Sequence, residues 1–154
     1  MADILAVEEG GTLYKSQLLT YYYTRRAESS IGQGERFLIK HAYWGKTDLV
    51  TKSDGDGWDI ADIPLDFSLE DLQSHFATND LICSVQGTTI AINISLPREQ
   101  LEAGSRYDFN TLVLVDSEGE PFAVMCTQQE TMYAEKSYNI FVTIEQVGGT
   151  EDDS

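Results

Sequence analysis

Two histidines, His41 and His75, and two cysteines, Cys83 and Cys126, are the whole supply of imidazole and thiol in this 154-residue chain. General acid–base and nucleophilic chemistry needs such groups held against partners at fixed spacings. No H-E-x-x-H, no G-x-S-x-G and no G-x-x-x-x-G-K-[ST] occurs anywhere, and Gly32-Gln33-Gly34 is only a fragment of a dinucleotide-type pattern with no strand leading into it. His41 falls in a strand-like stretch, where a hydrogen-bonded core or interface role is the ordinary one. His75 falls near the end of a short helix-like stretch, where a cation meets the helix carboxyl end favourably. The cysteines stand 43 residues apart in apolar stretches with no C-x-x-C pair, so they read as buried thiols rather than as a zinc or redox site. No enzymatic activity and no cofactor is expected.

One acidic loop invites a metal reading. Asp54, Asp56, Asp59 and Asp62 lie in a Gly-rich turn, and a hard cation such as Ca²⁺ takes several carboxylate oxygens from such a turn. Trp58 occupies the fifth position and no glutamate closes the loop twelve residues on, so the EF-hand pattern fails. A solvated acidic turn is the reading taken, and no metal site is expected.

The charge is strongly uneven. Ten Lys and Arg against 26 Asp and Glu leave a formal charge of −16. Residues 1–52 carry a net +1 and residues 53–154 a net −17, and no Lys or Arg occurs between Lys52 and Arg98. Such a surface repels phosphate backbones and anionic headgroups, so neither nucleic acid nor membrane is an expected partner. No apolar run reaches the 18 or so residues of a membrane-spanning helix, and the amino terminus lacks a secretory pattern. The composition points to a soluble protein folded in a cytoplasm, and 42% hydrophobic residues suffice for a core.

The near-neutral third also gathers aromatic residues: Tyr14, Tyr21, Tyr22, Tyr23, Phe37, Tyr43 and Trp44. Core packing accounts for at least half of them. The remainder, beside Arg25 and Arg26, suit an assembly surface, since Tyr, Trp and Arg dominate interface energetics. Tyr21, Tyr22, Arg25 and Arg26 are the candidate contact residues, with Tyr22 and Arg26 foremost. Rings stacking on sugar are the alternative, which would make the chain a carbohydrate-binding adhesin domain.

These residues need elements to position them. After an extended opening and Gly10-Gly11, near-helical spacing of Leu18, Tyr21, Tyr22 and Arg25 predicts a helix over 13–28 with Thr12 as its cap. Alternation over 36–44 predicts a strand, followed by the acidic loop 53–62. Ser68 with Asp71 resembles a capping box opening a short helix whose face carries Leu69, Leu72 and Phe76 and which ends at Thr78-Asn79-Asp80. Residues 81–86 and 89–96 predict a hairpin across Gly87. Residues 97–104 predict a single helical turn, and 108–115 with 121–127 a second hairpin through Asp116-Ser117-Glu118-Gly119. A last strand over 137–147 puts Tyr138, Ile140, Val142 and Ile144 on one face, to pack against Ile90, Ile92, Ile94 and Leu96. The expected fold is mainly β (α+β), a small antiparallel β-sandwich or rolled sheet with an amino-terminal helix and short helical insertions. Residues 1–147 are expected to form a single domain. Residues 148–154 are expected to be a flexible acidic tail, so truncation after Val147 should leave the melting temperature unchanged.

In order of elements, the chain resembles the amino-terminal, baseplate-attaching domain of contractile-tail bacteriophage tail fibre (tail-collar fibre) proteins. The helix at 13–28 and the strand Phe37 to Trp44 correspond to the start of that pattern. The strand Ile90 to Pro97, the connector Ala103-Gly104 with Tyr107-Asp108-Phe109, and Leu112 to Gly119 returning as Pro121 to Cys126 correspond to its later part. The resemblance implies a virion structural protein, made late, that docks to a tail baseplate protein, assembles in the host cytoplasm and forms a homotrimer. Family members continue into a shaft and a receptor-binding tip. A chain ending at Ser154 therefore suggests a baseplate-proximal component, with downstream fibre chains as further partners.

Overall fold

The computed structural model describes residues 2–8, 14–52, 57–95, 101–133 and 139–146. Eleven strands are found there: β1 (Ala2–Glu8), β2 (Tyr14–Leu18), β3 (Ile39–Lys46), β4 (Val50–Lys52), β5 (Trp58–Ile60), β6 (Gln73–Asp80), β7 (Ile82–Gln86), β8 (Thr89–Ser95), β9 (Tyr107–Asp116), β10 (Pro121–Met132) and β11 (Asn139–Gln146). One helix, α1 (Thr20–Ser30), and one turn of 3-10 helix at Leu69–Asp71 accompany them. The strands make a four-stranded sheet in the order β1-β11-β8-β7 and a five-stranded sheet in the order β2-β10-β9-β3-β6, with β4-β5 a separate ribbon. Every pairing is antiparallel. The fold is mainly β with a helix near its start, as the sequence predicts.

The inner faces of the two sheets share one core. Ile92 and Ile94 of β8 and Ile140, Val142 and Ile144 of β11 meet Trp44, Phe109, Leu112, Leu114 and Met125 from the other sheet. Their register follows the alternation read from the sequence: Ile140 lies opposite Ile94, Val142 opposite Ile92 and Ile144 opposite Ile90. Leu96 and Tyr138, also expected on this face, lie outside the described residues.

A second apolar cluster covers the other face of the five-stranded sheet. Val113 and Val115 of β9 and Val124 and Cys126 of β10 pack there against Leu19, Val50, Ile63 and Phe67. β9 and β10 therefore have no solvent face over most of their length, and their apolar side chains run continuously rather than alternating. A buried polar clamp ties the end of β3 to β9. Thr47 N–H donates to Asn110 Oδ1 at 2.9 Å, and the hydroxyls of Thr47 and Thr111 lie 2.9 Å apart.

Several expected elements change. Residues 14–18 form β2, not a helix, because they pair with β10 in register, Leu18 opposite Ala123 and Tyr14 opposite Thr127. Leu19 is extended (φ −87°, ψ 161°), and α1 begins only at Thr20. The expected cap Thr12 lies outside the described residues. The capping contact at Ser68 exists, its N–H donating to Asp71 Oδ2 at 3.2 Å, but it closes one turn only. Leu72 is already extended, and 73–80 pair with β3 instead, so Phe76 and His75 stand on a strand. The strand expected over 36–44 is β3, which starts at Ile39 rather than 36, and the acidic loop contains β5 at 58–60. Of the turn expected at 97–104, residues 97–100 lie outside the described part, and 101–104 contain no helix. Both hairpins form, with Gly87 (φ +63°) and Gly119 (φ +83°) at the turns.

Candidate docking surface

α1 is fastened to the β9–β10 end of the core by its inward side chains. Tyr22 is 1% exposed, its ring edge-on to Phe37 at 5.7 Å and tilted against Phe122 at 6.0 Å. Tyr21 donates its hydroxyl proton to Asp116 Oδ2 at 2.7 Å. Burial, and then the hydrogen bond to that carboxylate, push the Tyr21 phenol well above its ordinary range, so it remains a proton donor. Asp116 is itself buried, and its other oxygen accepts the backbone N–H groups of Glu118 and Glu120, each at 3.0 Å. One carboxylate thus shapes the β9–β10 turn and anchors the helix.

Arg25 is 8% exposed. Its guanidinium donates to Glu28 Oε1 at 2.8 Å and to the Glu35 carbonyl, stitching the helix to the connector that follows. This closeness requires glycine at 34: a Cβ there would lie 3.2 Å from Arg25 Nη1, and the backbone is left-handed (φ +76°). Arg26 points outward, but its Nη1 donates to the Tyr22 hydroxyl at 2.8 Å and its guanidinium sits 5.6 Å from that ring's centre.

The four candidates therefore divide. Arg26 reaches the surface and Tyr21 is half-buried, whereas Tyr22 and Arg25 act from within and cannot present contact area. The surface that α1, its connector and the start of β3 do present includes Tyr23, Arg26, Ile31, Glu35, Arg36, Leu38 and Lys40, with Ile31 75% exposed. Ile31 and Leu38 escape sequence reading because an apolar residue in a connector, or one between Phe37 and Ile39 in a strand-like run, looks like any other core candidate. The signal that was available is the pair of glycines at 32 and 34, which turn the chain back outside the core.

Beside Tyr21 an open groove of about 460 Å³ runs along Leu19, Leu65, Phe67 and Pro121, with Asp66, Glu70 and Glu120 in its lining. Aromatic rings that sugar stacking would need are largely interior: Trp44 is buried against Phe109 at 5.1 Å and donates its Nε1–H to Asn79 at 2.7 Å. The side chain of Tyr14 lies outside the described residues.

The histidines are structural neighbours of strand β6. His75 stacks on Tyr43 at 4.8 Å, with Nε2 2.9 Å from the Ala77 carbonyl and 2.7 Å from the Thr78 hydroxyl. It is not at a helix end. His41 Nδ1 lies 2.8 Å from Asp80 Oδ1 across the β3–β6 pair. Cys126 is a buried free thiol raised in pKa by that burial, but Cys83, also free, is exposed on β7 against expectation. Of the acidic loop, Asp62 pairs with Lys15 at 2.9 Å, which lowers its carboxyl, and Asp59 is exposed, while Asp54 and Asp56 lie outside the described residues. No helix among the described residues is long and apolar enough to cross a membrane.

Comparison with known proteins places this arrangement. No solved structure matches the chain. Over 133 residues it is 47% identical to tail fiber protein R of Escherichia phage P1, covering 86% of this chain and 92% of that protein. That relative is thus of similar length. The family model described as bacteriophage P1 tail fiber protein R matches residues 1–149. The chain belongs to that family and is a phage tail fibre protein.

Proposed function

We propose that this chain is a non-enzymatic structural component of the tail fibre that docks to the tail baseplate through α1 and its connector, with downstream fibre chains joining elsewhere. The observation that carries this reading is the surface of residues 23–40. There Tyr23, Ile31 and Leu38 are exposed among Arg26, Arg36 and Lys40, on a chain whose remaining two-thirds is heavily acidic. A patch without net repulsion desolvates at lower cost, and the acidic remainder discourages contact at the wrong face. Tyr21, Tyr22 and Arg25 serve that surface by holding α1 in place.

The test is capture of this chain by fibreless tails of its own phage. Arg26→Ala with Ile31→Ala should leave the chain folded and weaken capture, each truncation costing on the order of 1–2 kcal/mol. Capture unchanged by this pair, but abolished by reversing charges within residues 57–71, would move the interface to the acidic body.

A further inference from the structure

Edge strands normally carry protection against pairing with a foreign strand: a charged side chain, a proline or a bulge. The two sheets have four edges. β1 carries Asp3 and Glu8, β2 carries Lys15, and β6 carries Asp80. β7, Ile82-Cys-Ser-Val-Gln86, carries none of these devices. Its pairing with β8 runs in unbroken register from Ile82 opposite Asn93 to Gln86 opposite Thr89. It also lies within the stretch from Leu81 to Pro97, which contains no charged residue at all in a chain of net charge −16.

The position of β7 compounds this. β7 ends the four-stranded sheet, and among the described residues only β8 pairs with it. All five of its residues are exposed, with Ile82 at 66% and Val85 at 71%. These two side chains point to opposite faces, so each face of the strand carries an uncovered apolar residue.

We propose that β7 is an interface between two copies of this chain, paired antiparallel with β7 of the second copy about a two-fold axis. Two chains of charge −16 repel over most of their surfaces, and this edge is where they can meet without opposed carboxylates. The strand is self-complementary when Ser84 sits on the axis. Cys83 then faces Val85 of the second copy, extending the inner apolar row of Ile90 and Ile92, and Ile82 faces Gln86. The two four-stranded sheets become continuous, and the two exposed edges disappear. The contact is independent of the baseplate reading and gives a dimer, where the family resemblance alone implies a homotrimer.

Sedimentation equilibrium of the full chain from low micromolar to near-millimolar concentration tests this. Wild type should show a monomer–dimer equilibrium, and Ser84→Lys, which sets two cations opposite each other at an exposed position, should weaken it at least ~10-fold. A short bis-maleimide should link two wild-type chains through Cys83 and fail with Cys83→Ser, a readout that needs no folded charge variant. A wild type that stays monomeric, an oligomer of any size indifferent to Ser84→Lys, or no Cys83 crosslink in the associated state would each overturn the proposal.

Discussion

The five-stranded sheet is covered on both faces, and the four-stranded sheet on one. In the first, Leu114 and Val113 are neighbours along β9 that point opposite ways, and both are fully buried, one in each apolar cluster. In the second, Val142 is buried while Phe141 beside it on β11 is mostly exposed. The difference comes from the segment between β3 and β6, whose Val50, Ile63 and Phe67 fold over the outer face of one sheet, where the other has no equivalent cover among the described residues. A sheet buried twice tolerates no change of side-chain polarity. A sheet buried once has a face left over for other purposes, and here that face ends at an unprotected edge.

Charge insertion breaks this comparison most sharply. Val113→Asp and Leu114→Asp should both abolish soluble, folded protein, since an unpaired buried carboxylate costs more than about 4 kcal/mol on either face. Ile92→Asp should do the same, whereas Phe141→Asp should remain folded. Measurement of soluble yield and melting temperature for the four variants checks this. A folded Val113→Asp would mean that the second cluster is not a core.

A smaller loss is expected where β3 bends. The register between β3 and β6 shifts at Gly45, and a Cβ there would lie 2.7 Å from the Gln73 carbonyl oxygen. Gly45→Ala should cost about 1–3 kcal/mol through forced displacement of β6. Denaturant titration reads it, and a stability equal to wild type would show that β6 gives way freely.

The anchor between the sheet and α1 comes next. Asp116→Ala removes an acceptor from Tyr21 and from two backbone N–H groups, with an expected loss of about 1–3 kcal/mol. The Tyr21 phenol is raised in the folded chain, first by burial and then by Asp116. Its folded state therefore favours the protonated form. That contribution is complete below the ordinary phenol value of about 10 and is lost as pH rises beyond it. Tyr21→Phe should accordingly show a shallower fall in melting temperature above that pH than wild type, and parallel alkaline curves would exclude the linkage.

The smallest effect belongs to the open face. Phe141→Thr and Ser84→Lys should change the monomer's stability by no more than about 0.5 kcal/mol. Measured at concentrations below association, a larger loss would place those residues in a core.

Alternation made the four-stranded sheet legible from the residues themselves. Ile90-Ala-Ile-Asn-Ile-Ser and Ile140-Phe-Val-Thr-Ile need only one covered face, so their period of two predicts strand, orientation and partner row together. The turn Asp116 to Gly119 was equally plain, because aspartate caps and a left-handed glycine are local chemistry. The segments read as helix at 14–18 and 72–80 failed for the opposite reason. Their local spacing admits helix, and their strand state exists only through pairing with β10 and β3, far along the chain.

The contact residues show the same division. The sequence by itself determined that aromatic and basic side chains cluster in the near-neutral third, since composition and charge are local counts. Which of them face outward was decided by tertiary structure alone. Tyr22 and Arg25 stand next to Tyr23 and Arg26, and only the seating of α1 on Phe37, Phe122 and the Glu35 carbonyl turns the first pair inward. The openness of β7 was decided in the same way: its residues name it a strand, but that it ends its sheet with only β8 beside it follows from the strand order among the described residues.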